Sequence, residues 1–342
     1  MPDRVYLDWN ATTPLRDEAR RAISDALDLP GNASSVHAEG REARKWIESA
    51  RATVAKAVGT VPRNVVFTSG GTEANALALA PNLRRGTGSA VERLVVSAIE
   101  HASVLSGGRF PRELIETVRV TPAGVVDLDH LRQLLRAGPP ALASVMLANN
   151  ETGAIQPIAE VAEIVHAAAG LLHVDAIQAF GKIPFDMGET GADLLTLSAH
   201  KIGGPKGVGA LVLSEGVSGL EPLLRGGGQE LSRRAGTENV AGIAAFGAAA
   251  AAAMAARPAE GGRLRALQER LEGGLRLTPG VIVFSDSVQR LPNTTLFTVP
   301  GLKAETAVIG LDLAGIAVSS GDRKSTRLNS SHLRTSRMPS SA

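Results

Sequence analysis

The sequence predicts an α/β fold: a mostly parallel sheet with helices on both faces, followed by a smaller α+β unit. Three observations predict it. Short β-branched runs alternate with helical patterns, the signature of strands joined by crossover helices. Polar clusters follow nearly every apolar run, as they do at the rim of an open parallel sheet. At 342 residues and 44% hydrophobic content, the chain is long enough for one large core and one smaller one.

The elements follow in order. DEARRAISDAL, residues 17–27, carries acids in its first turn, which a helix N-terminus favours. Ala43, Ile47, Ala50, Val54 and Ala57 recur near a 3.6 period and predict a second helix, with the turn cluster PGNASSV between the two. Strands are predicted at 64–68, 93–97, 143–148, 171–174, 194–198 and 209–214, with a helical pattern such as 158–170 between them. The Ala-rich run 240–256 reads as a long soluble helix, not a membrane span, because alanine is barely hydrophobic. RPAEGGR, 257–263, reads as a domain border.

This predicts a large domain over 1–257, whose N-terminal segment packs on the small domain. A partial small domain covers 258–321, with a helix at 263–275, strands near 281–284 and 294–299, a helix near 304–313 and a strand in GIAVSS. It ends too soon to close a layer. The Ser/Arg-rich segment 322–342 has no apolar period and is expected to be disordered and non-native.

Charge and composition exclude several classes. The net charge is +2; five cationic residues against Asp322 put +4 on the segment 322–342 and leave −2 on the rest. The body therefore carries no nucleic-acid footprint. With no cysteine in the chain, disulfides and Cys-ligated zinc are excluded. The N-terminus has no apolar h-region, so no signal peptide and a cytoplasmic location are expected. No Walker or G-x-G-x-x-G pattern supports nucleotide binding.

Five clusters carry the chemistry: TSGGTEAN, IEHAS, NNETG, DAIQ and AHK, each after a strand run. In SGGTEAN, two glycines precede Thr72 at a helix start, which suits a phosphate; an ordinary cap by Thr72, with Asn75 three residues on, is the alternative. Lys201, at a strand end before Gly-Gly-Pro, suits Schiff-base chemistry if desolvated, and otherwise is a surface lysine. Ser198 and His200 beside it suit phosphate. Asp175 follows a buried run and needs a cationic partner such as a pyridinium nitrogen, or serves as a helix cap. His101 suits ring stacking or proton shuttling, or is structural. Taken together, the set describes pyridoxal 5'-phosphate (PLP).

YLDWNATTP, GNASSVHAEGR, FTSGGTEANALAL, IEHASV, NNETGAIQPI, HVDAIQAFGK, LSAHKIGGPKGVGAL and RRAGTENV, in this order, resemble the cysteine desulfurases of the nitrogen-fixation and iron–sulfur-assembly type. These are class V aminotransferase-like enzymes of PLP fold type I, with a seven-stranded-type sheet. The resemblance runs from residue 5 to about Gly321. It implies that Lys201 bonds PLP and moves protons at the substrate Cα, and that Asp175 pairs the ring nitrogen. Gln178 and Asn150 would bond the phenolic oxygen region, and Gly71, Thr72, Ser198 and His200 the phosphate. Thr237 would reach the other subunit's cofactor in a homodimer. His101 would stack on the ring and act as acid–base, and Asn32 would lie near the substrate carboxylate. The implied reaction turns L-cysteine into L-alanine, with sulfur passing through a cysteine persulfide to a scaffold or thiolation partner.

The chain departs from that pattern after Gly321. The family's Ser-Ala-Cys is replaced by Asp322, Arg323 and Lys324, and the small-domain arginine that would clamp the substrate carboxylate is absent. PLP binding without persulfide formation is therefore expected. The rival readings are another class V enzyme (selenocysteine lyase, serine-type aminotransferase or epimerase) or a non-catalytic PLP-fold binding protein. SAHKIGGPKG and RAGTENV favour the desulfurase, and a yellow, borohydride-bleached protein would separate enzyme from mere fold.

Overall fold

The computed structural model describes residues 4–321; the tail at 322–342 lies outside the described residues. Seven strands form the main sheet: β1 (Val65–Thr68), β2 (Arg93–Ser97), β3 (Ile115–Val118), β4 (Ala141–Met146), β5 (Leu171–Asp175), β6 (Leu194–Ser198) and β7 (Gly209–Leu213). Their order is β1–β7–β6–β5–β4–β2–β3. Only β7 runs against the rest, antiparallel to β1 and β6. The carboxyl ends of the other six therefore share one rim.

Every residue of β2, β4, β5, β6 and β7 is buried. That is why these strands read as unbroken apolar runs rather than alternating ones. The edge strand β3, IETV, is partly exposed and escapes the sequence reading for that reason. The predicted strand at 143–148 begins and ends two residues earlier, as β4.

Helices cover both faces. On one face lie α1 (Asp17–Leu27) and α2 (Ala38–Ala57), and on the other α3 (Gly71–Ala78). Alternation along β2 divides the core: Val95 joins the cluster under α2, while Leu94 and Val96 join the cluster with Leu77 of α3. α4 (Leu128–Arg136) and α5 (Ile158–Ala167) complete the connections before the long helix α6 (Val240–Leu275). Phe246 of α6 meets Phe67 and Phe180 edge-on, at centroid distances of 6.2 and 6.3 Å.

α6 corrects one expectation. No turn separates 240–256 from 263–275; a single helix of 36 residues runs through RPAEGGR. Pro258 forfeits one helical N–H bond, at a cost of about 3 kcal/mol. Contacts at both ends offset it. The first half of α6 buries Ile243, Phe246, Ala249 and Ala250 beside α1 and α2. Near the far end, the buried Glu272 takes Arg290 at 2.8 Å and the Thr295 hydroxyl at 2.9 Å. α6 is long and apolar enough to cross a membrane, yet half of its most apolar window is packed inside the protein, as a core helix would be.

Beyond α6, Ile282–Val283 pairs antiparallel with Phe297–Thr298, and Ile316–Ala317 pairs parallel with Val5–Tyr6 of the N-terminal segment. The helix α7 (Ala304–Leu313) buries no residue, and its Ile309 and Leu313 are exposed.

A buried ion pair fixes the loop after β7. Glu230, Leu231 and Ser232 all have positive φ, a costly run for residues with side chains. Arg51 of α2 holds Glu230 through two bonds of 2.7 and 2.8 Å, and the Phe67 N–H donates to the same carboxylate at 2.9 Å. Glu230→Gln leaves the Arg51 charge with only the half-exposed Glu48, at 3.2 Å, and is expected to destabilise the fold by about 3 kcal/mol, read as a lower urea midpoint. The double replacement Arg51→Met with Glu230→Leu should cost less than the single one.

His173, at the centre of β5, is fully buried between the Ser144 hydroxyl at 2.8 Å and the Thr196 hydroxyl at 3.3 Å. Burial pushes its pKa down to about 3. The unfolded chain takes up that proton first, near pH ~6.5. The His173 contribution is therefore complete above that pH and is lost as pH falls towards 3. His173→Gln is expected to flatten the acid limb of stability between pH 7 and 4; parallel limbs in the two proteins would show that another group governs it.

Candidate functional site

The rim gathers the five polar clusters. The Thr68 end of β1 and the Ser198 end of β6 both face Gly209, the first residue of β7. Helix α3 starts in the gap. Its cap is Gly70, not Thr72, so Thr72 lies in the first turn, where backbone N–H groups have no partner within the helix. Gly70 holds φ 154° and ψ 178°, a conformation reserved for glycine. A Cβ on Gly71 would stand 2.3 Å from the Ile177 side chain. The two glycines are therefore dictated by geometry.

A cleft of about 340 Å³ opens over this helix start. Gly71, Thr72, Ser198 and His200 line it together, with Thr12, Lys206 and Gly207. The Ser198 hydroxyl is buried there with no hydrogen-bond partner, an unusual state for a polar atom. An anion with several oxygens fits the donors that converge on this cleft. Glu73 also lines it, but Arg234 at 3.0 Å and the Ser69 N–H at 2.8 Å occupy its carboxylate. Burial opposes its charge, yet those bonds prevail and hold its pKa below the ordinary glutamate value.

His200 is neutral at physiological pH. Burial first, then Lys201, Lys206 and Lys182, push its pKa down to about 4. It faces the Thr12 hydroxyl at 3.2 Å, and its carbonyl accepts from Thr13.

Asp175 ends β5, the central strand, and is 5% exposed. Its oxygens accept from Asn75 Nδ2 at 2.9 Å and from the Ile177 N–H at 3.0 Å. Burial raises its pKa; the two hydrogen bonds and the charges of His101 and Lys201 oppose that rise. The carboxylate is thus short of positive charge, and a cationic ring nitrogen would supply it. The Ile177 bond closes a local turn, and no helix starts there, so the helix cap that the sequence allowed as an alternative is not formed.

Lys201 follows β6 in a short 3₁₀ turn, Ala199–Lys201. Its amine donates to the carbonyls of Asn10 and, at 2.9 Å, Ala11. Asn10 is a hub that the sequence reading left without a role. Its carbonyl also accepts from Gln178 Nε2 at 2.9 Å, and its side chain donates to the Asn150 carbonyl at 3.1 Å. Gln178 and Asn150 therefore meet Lys201 through one residue of the WNATT segment. Lys182 completes the group, donating to Gln178 Oε1 at 2.7 Å. Burial, then Lys201, push the Lys182 pKa down to about 7.

His101 caps the short helix Ala102–Leu105 and contacts Ser103 Oγ at 2.8 Å. The preceding Glu100 is fully buried, with Ser97 and the Met146 N–H on one oxygen. Burial pushes its pKa up to about 8, so it is neutral at pH 7. Thr237 and Asn32 do not line this cleft. Thr237 is exposed on the loop before α6, and Asn32 is exposed with its side chain accepting from the Ser34 N–H at 2.9 Å. The sequence reading missed Asn10, Asn75, Lys182 and Lys206 as site residues. All four stand inside motifs it had singled out, and Asn75 lies one helical turn beyond Thr72.

The description that matches the chain, over residues 5–338, is aminotransferase class-V. The cysteine desulfurase of Cereibacter sphaeroides is 42% identical over 326 residues, which is 93% of this chain and 82% of that protein. The cysteine desulfurase IscS of Dictyoglomus turgidum is 40% identical and covers 97% and 85% of the two chains. Among solved structures, a NifS-like protein from Rickettsia africae matches with a TM-score of 0.85 at 39% identity, over 93% of this chain and 88% of that one. SspA, solved in complex with cysteine, gives 0.75 at 28% identity over 93% and 90%. The mixed sheet with helices on both faces is the PLP fold type I architecture of these proteins. The chain belongs to the class-V aminotransferase family and, over nearly all its length, is similar to the cysteine desulfurases of NifS and IscS type.

Proposed function

We propose that this chain is a PLP-binding protein of the cysteine desulfurase group that takes L-cysteine as substrate and, lacking cysteine itself, forms no persulfide. One juxtaposition carries the reading. An anion cradle with an unsatisfied buried hydroxyl shares a rim with a buried acid that lies within charge range of a lysine. The names of its relatives, and the cysteine bound by SspA, point to the same substrate.

When bound, PLP supplies an aldehyde carbon that condenses with amines and a ring that accepts the electron pair left at the substrate Cα. The residues of this chain do the rest. Ser198, Thr72 and the first N–H groups of α3 hold the phosphate, with Lys206 adding charge and the neutral His200 a hydrogen-bonding nitrogen. Asp175 keeps a proton on the ring nitrogen by its own need for a cation. Lys201 carries the covalent link and moves the proton at the substrate Cα. Gln178 and Asn150, tied together by Asn10, serve the phenolic oxygen region. His101 covers the ring, and Asn32 serves the substrate carboxylate.

In this reading residues 1–257 form the cofactor-binding unit and 258–321 part of a smaller one. Two copies associate in the cytoplasm, with Thr237 of each reaching the other's phosphate. The sulfur acceptor, a scaffold or thiolation protein, meets a chain with no thiol of its own among its 342 residues.

Three outcomes follow. The chain reconstituted with PLP is expected to be yellow, and borohydride should bleach it and attach the label to Lys201. A label on Lys182 or Lys206, or no stoichiometric binding, would overturn the assignment. Ser198→Ala should weaken PLP binding at least tenfold, since a hydrogen bond to a charged group contributes about 1.5–3 kcal/mol. With L-cysteine, thiol-selective labelling should detect no protein-bound persulfide and alanine should not accumulate at an enzyme-like rate. Steady alanine production would refute the missing-nucleophile reading while leaving cofactor binding intact.

A further inference from the structure

We infer that Asn75 and Ser103 are positioning residues that join Asp175 to His101 and fix which nitrogen of the His101 ring carries its proton. The inference rests on reading Asp175 and His101 as the groups at the ring nitrogen and ring face, but the chain of bonds itself involves protein atoms alone.

The bonds are contiguous. Asn75 is completely buried on α3. Its amide nitrogen donates one hydrogen to Asp175 Oδ2 at 2.9 Å and the other to Ser103 Oγ at 2.9 Å. Its carbonyl oxygen accepts from the Thr196 hydroxyl at 2.6 Å. The orientation of the amide is dictated, because a flip would press its oxygen against Asp175 Oδ2 and leave that oxygen without its donor, the Ile177 N–H serving Oδ1. Ser103 Oγ accepts from Asn75, so its own hydrogen turns to another acceptor. His101 Nδ1 stands 2.8 Å away. The Ser103 backbone N–H points to the same nitrogen at 3.2 Å.

Two donors therefore converge on Nδ1. In the neutral imidazole one nitrogen donates and the other accepts. With Nδ1 as the acceptor, the proton resides on Nε2. The ring then presents a donor at Nε2, suited to an anionic sulfur or carboxylate. It cannot take a proton from a neutral thiol through that atom. Asp175 thus sets the His101 tautomer across three hydrogen bonds, although the two residues belong to different strands' ends.

Long-range proton–nitrogen NMR on the 342-residue chain labelled with ¹⁵N-histidine, at pH 8 and without added PLP, reads the tautomer directly. His101→Gln assigns the resonance. The wild-type ring is expected in the Nε2–H form. Ser103→Ala should raise the Nδ1–H share about fivefold, the ratio that one neutral hydrogen bond supports, and Ser103→Thr should restore the wild-type ratio. Asn75→Leu should shift the ring in the same direction and also weaken PLP binding, because Asp175 loses a donor. If Asn75→Leu does not fold, Ser103→Ala decides alone. An Nδ1–H ring in the wild type, or a ratio that Ser103→Ala leaves unchanged, would overturn the inference. Expected tautomers in a protein that fails to bind PLP would uphold the relay and sink the functional reading instead.

Discussion

A carboxylate buried at the tip of a central strand is the constraint around which the site is arranged. Taking Asp175 out of water costs several kcal/mol unless donors and positive charge replace the solvent. Two donors are local: the Ile177 N–H two residues on, and Asn75 from α3. For Asn75 to reach, α3 must begin against the end of β6, close to the Ile177 side chain. That approach requires glycine at 71, and the turn into the helix, with φ 154° at residue 70, favours a second one. The same helix start then exposes unpaired N–H groups to the cleft. One buried acid thus explains both the position of the helix and the existence of the anion cradle beside it.

Positive charge at this rim is crowded, and the crowding has consequences. Burial first, and then Lys201, Lys206 and Lys182, drive His200 neutral. Lys182 itself gives up charge readily near neutral pH, with Lys201 as the charged neighbour. The anions that would relieve this crowding are scarce: Glu73 is engaged by Arg234, and Glu100 is protonated. Under the proposed function, a phosphorylated ligand would supply the missing negative charge at the start of α3, where backbone N–H groups have no partner within the helix. Its cationic ring end answers the opposite deficit at Asp175. The cleft and the nearby Asp175 lack opposite charges, which is a stronger constraint on the ligand than volume alone.

Most of the fold was legible because parallel strands buried on both faces leave unbroken apolar runs. β3 was not, since an edge strand with Glu116 in its middle has no such run. The continuity of α6 was also hidden: Pro and Gly at 258–262 carry a local signal to stop, and tertiary anchoring at Phe246 and Glu272 overrides it. In the site, residues whose chemistry is rare at strand ends, Lys201, Asp175 and His101, stood out in the sequence. Asn10 and Asn75 did not, because an amide's role depends on what it bridges, and those partners lie far away in the chain: Asp175 is 100 residues from Asn75 and Asn150 is 140 from Asn10. The sequence allowed Thr72 as a cap because Thr is a good one; Gly70, two residues earlier, takes that place because its φ of 154° is one that residues with side chains rarely adopt.

The division between cofactor chemistry and sulfur chemistry also follows from where the groups lie. Every side chain that lines the cleft or holds Asp175 and Lys201 falls between Asn10 and Lys206, on or next to the main sheet. Their partners include one another and, from outside that range, Arg234, Asn293 and Thr294. In the proposed function, capture of an amino acid's amine asks for a bound aldehyde cofactor with that constellation around it. Removal of its sulfur asks in addition for a nucleophile that accepts sulfur as the carbon–sulfur bond breaks, and no residue of this chain has a thiolate to offer. The two halves of a desulfurase reaction thus make separate physical demands, and the function proposed for this chain draws on residues suited to the first half alone.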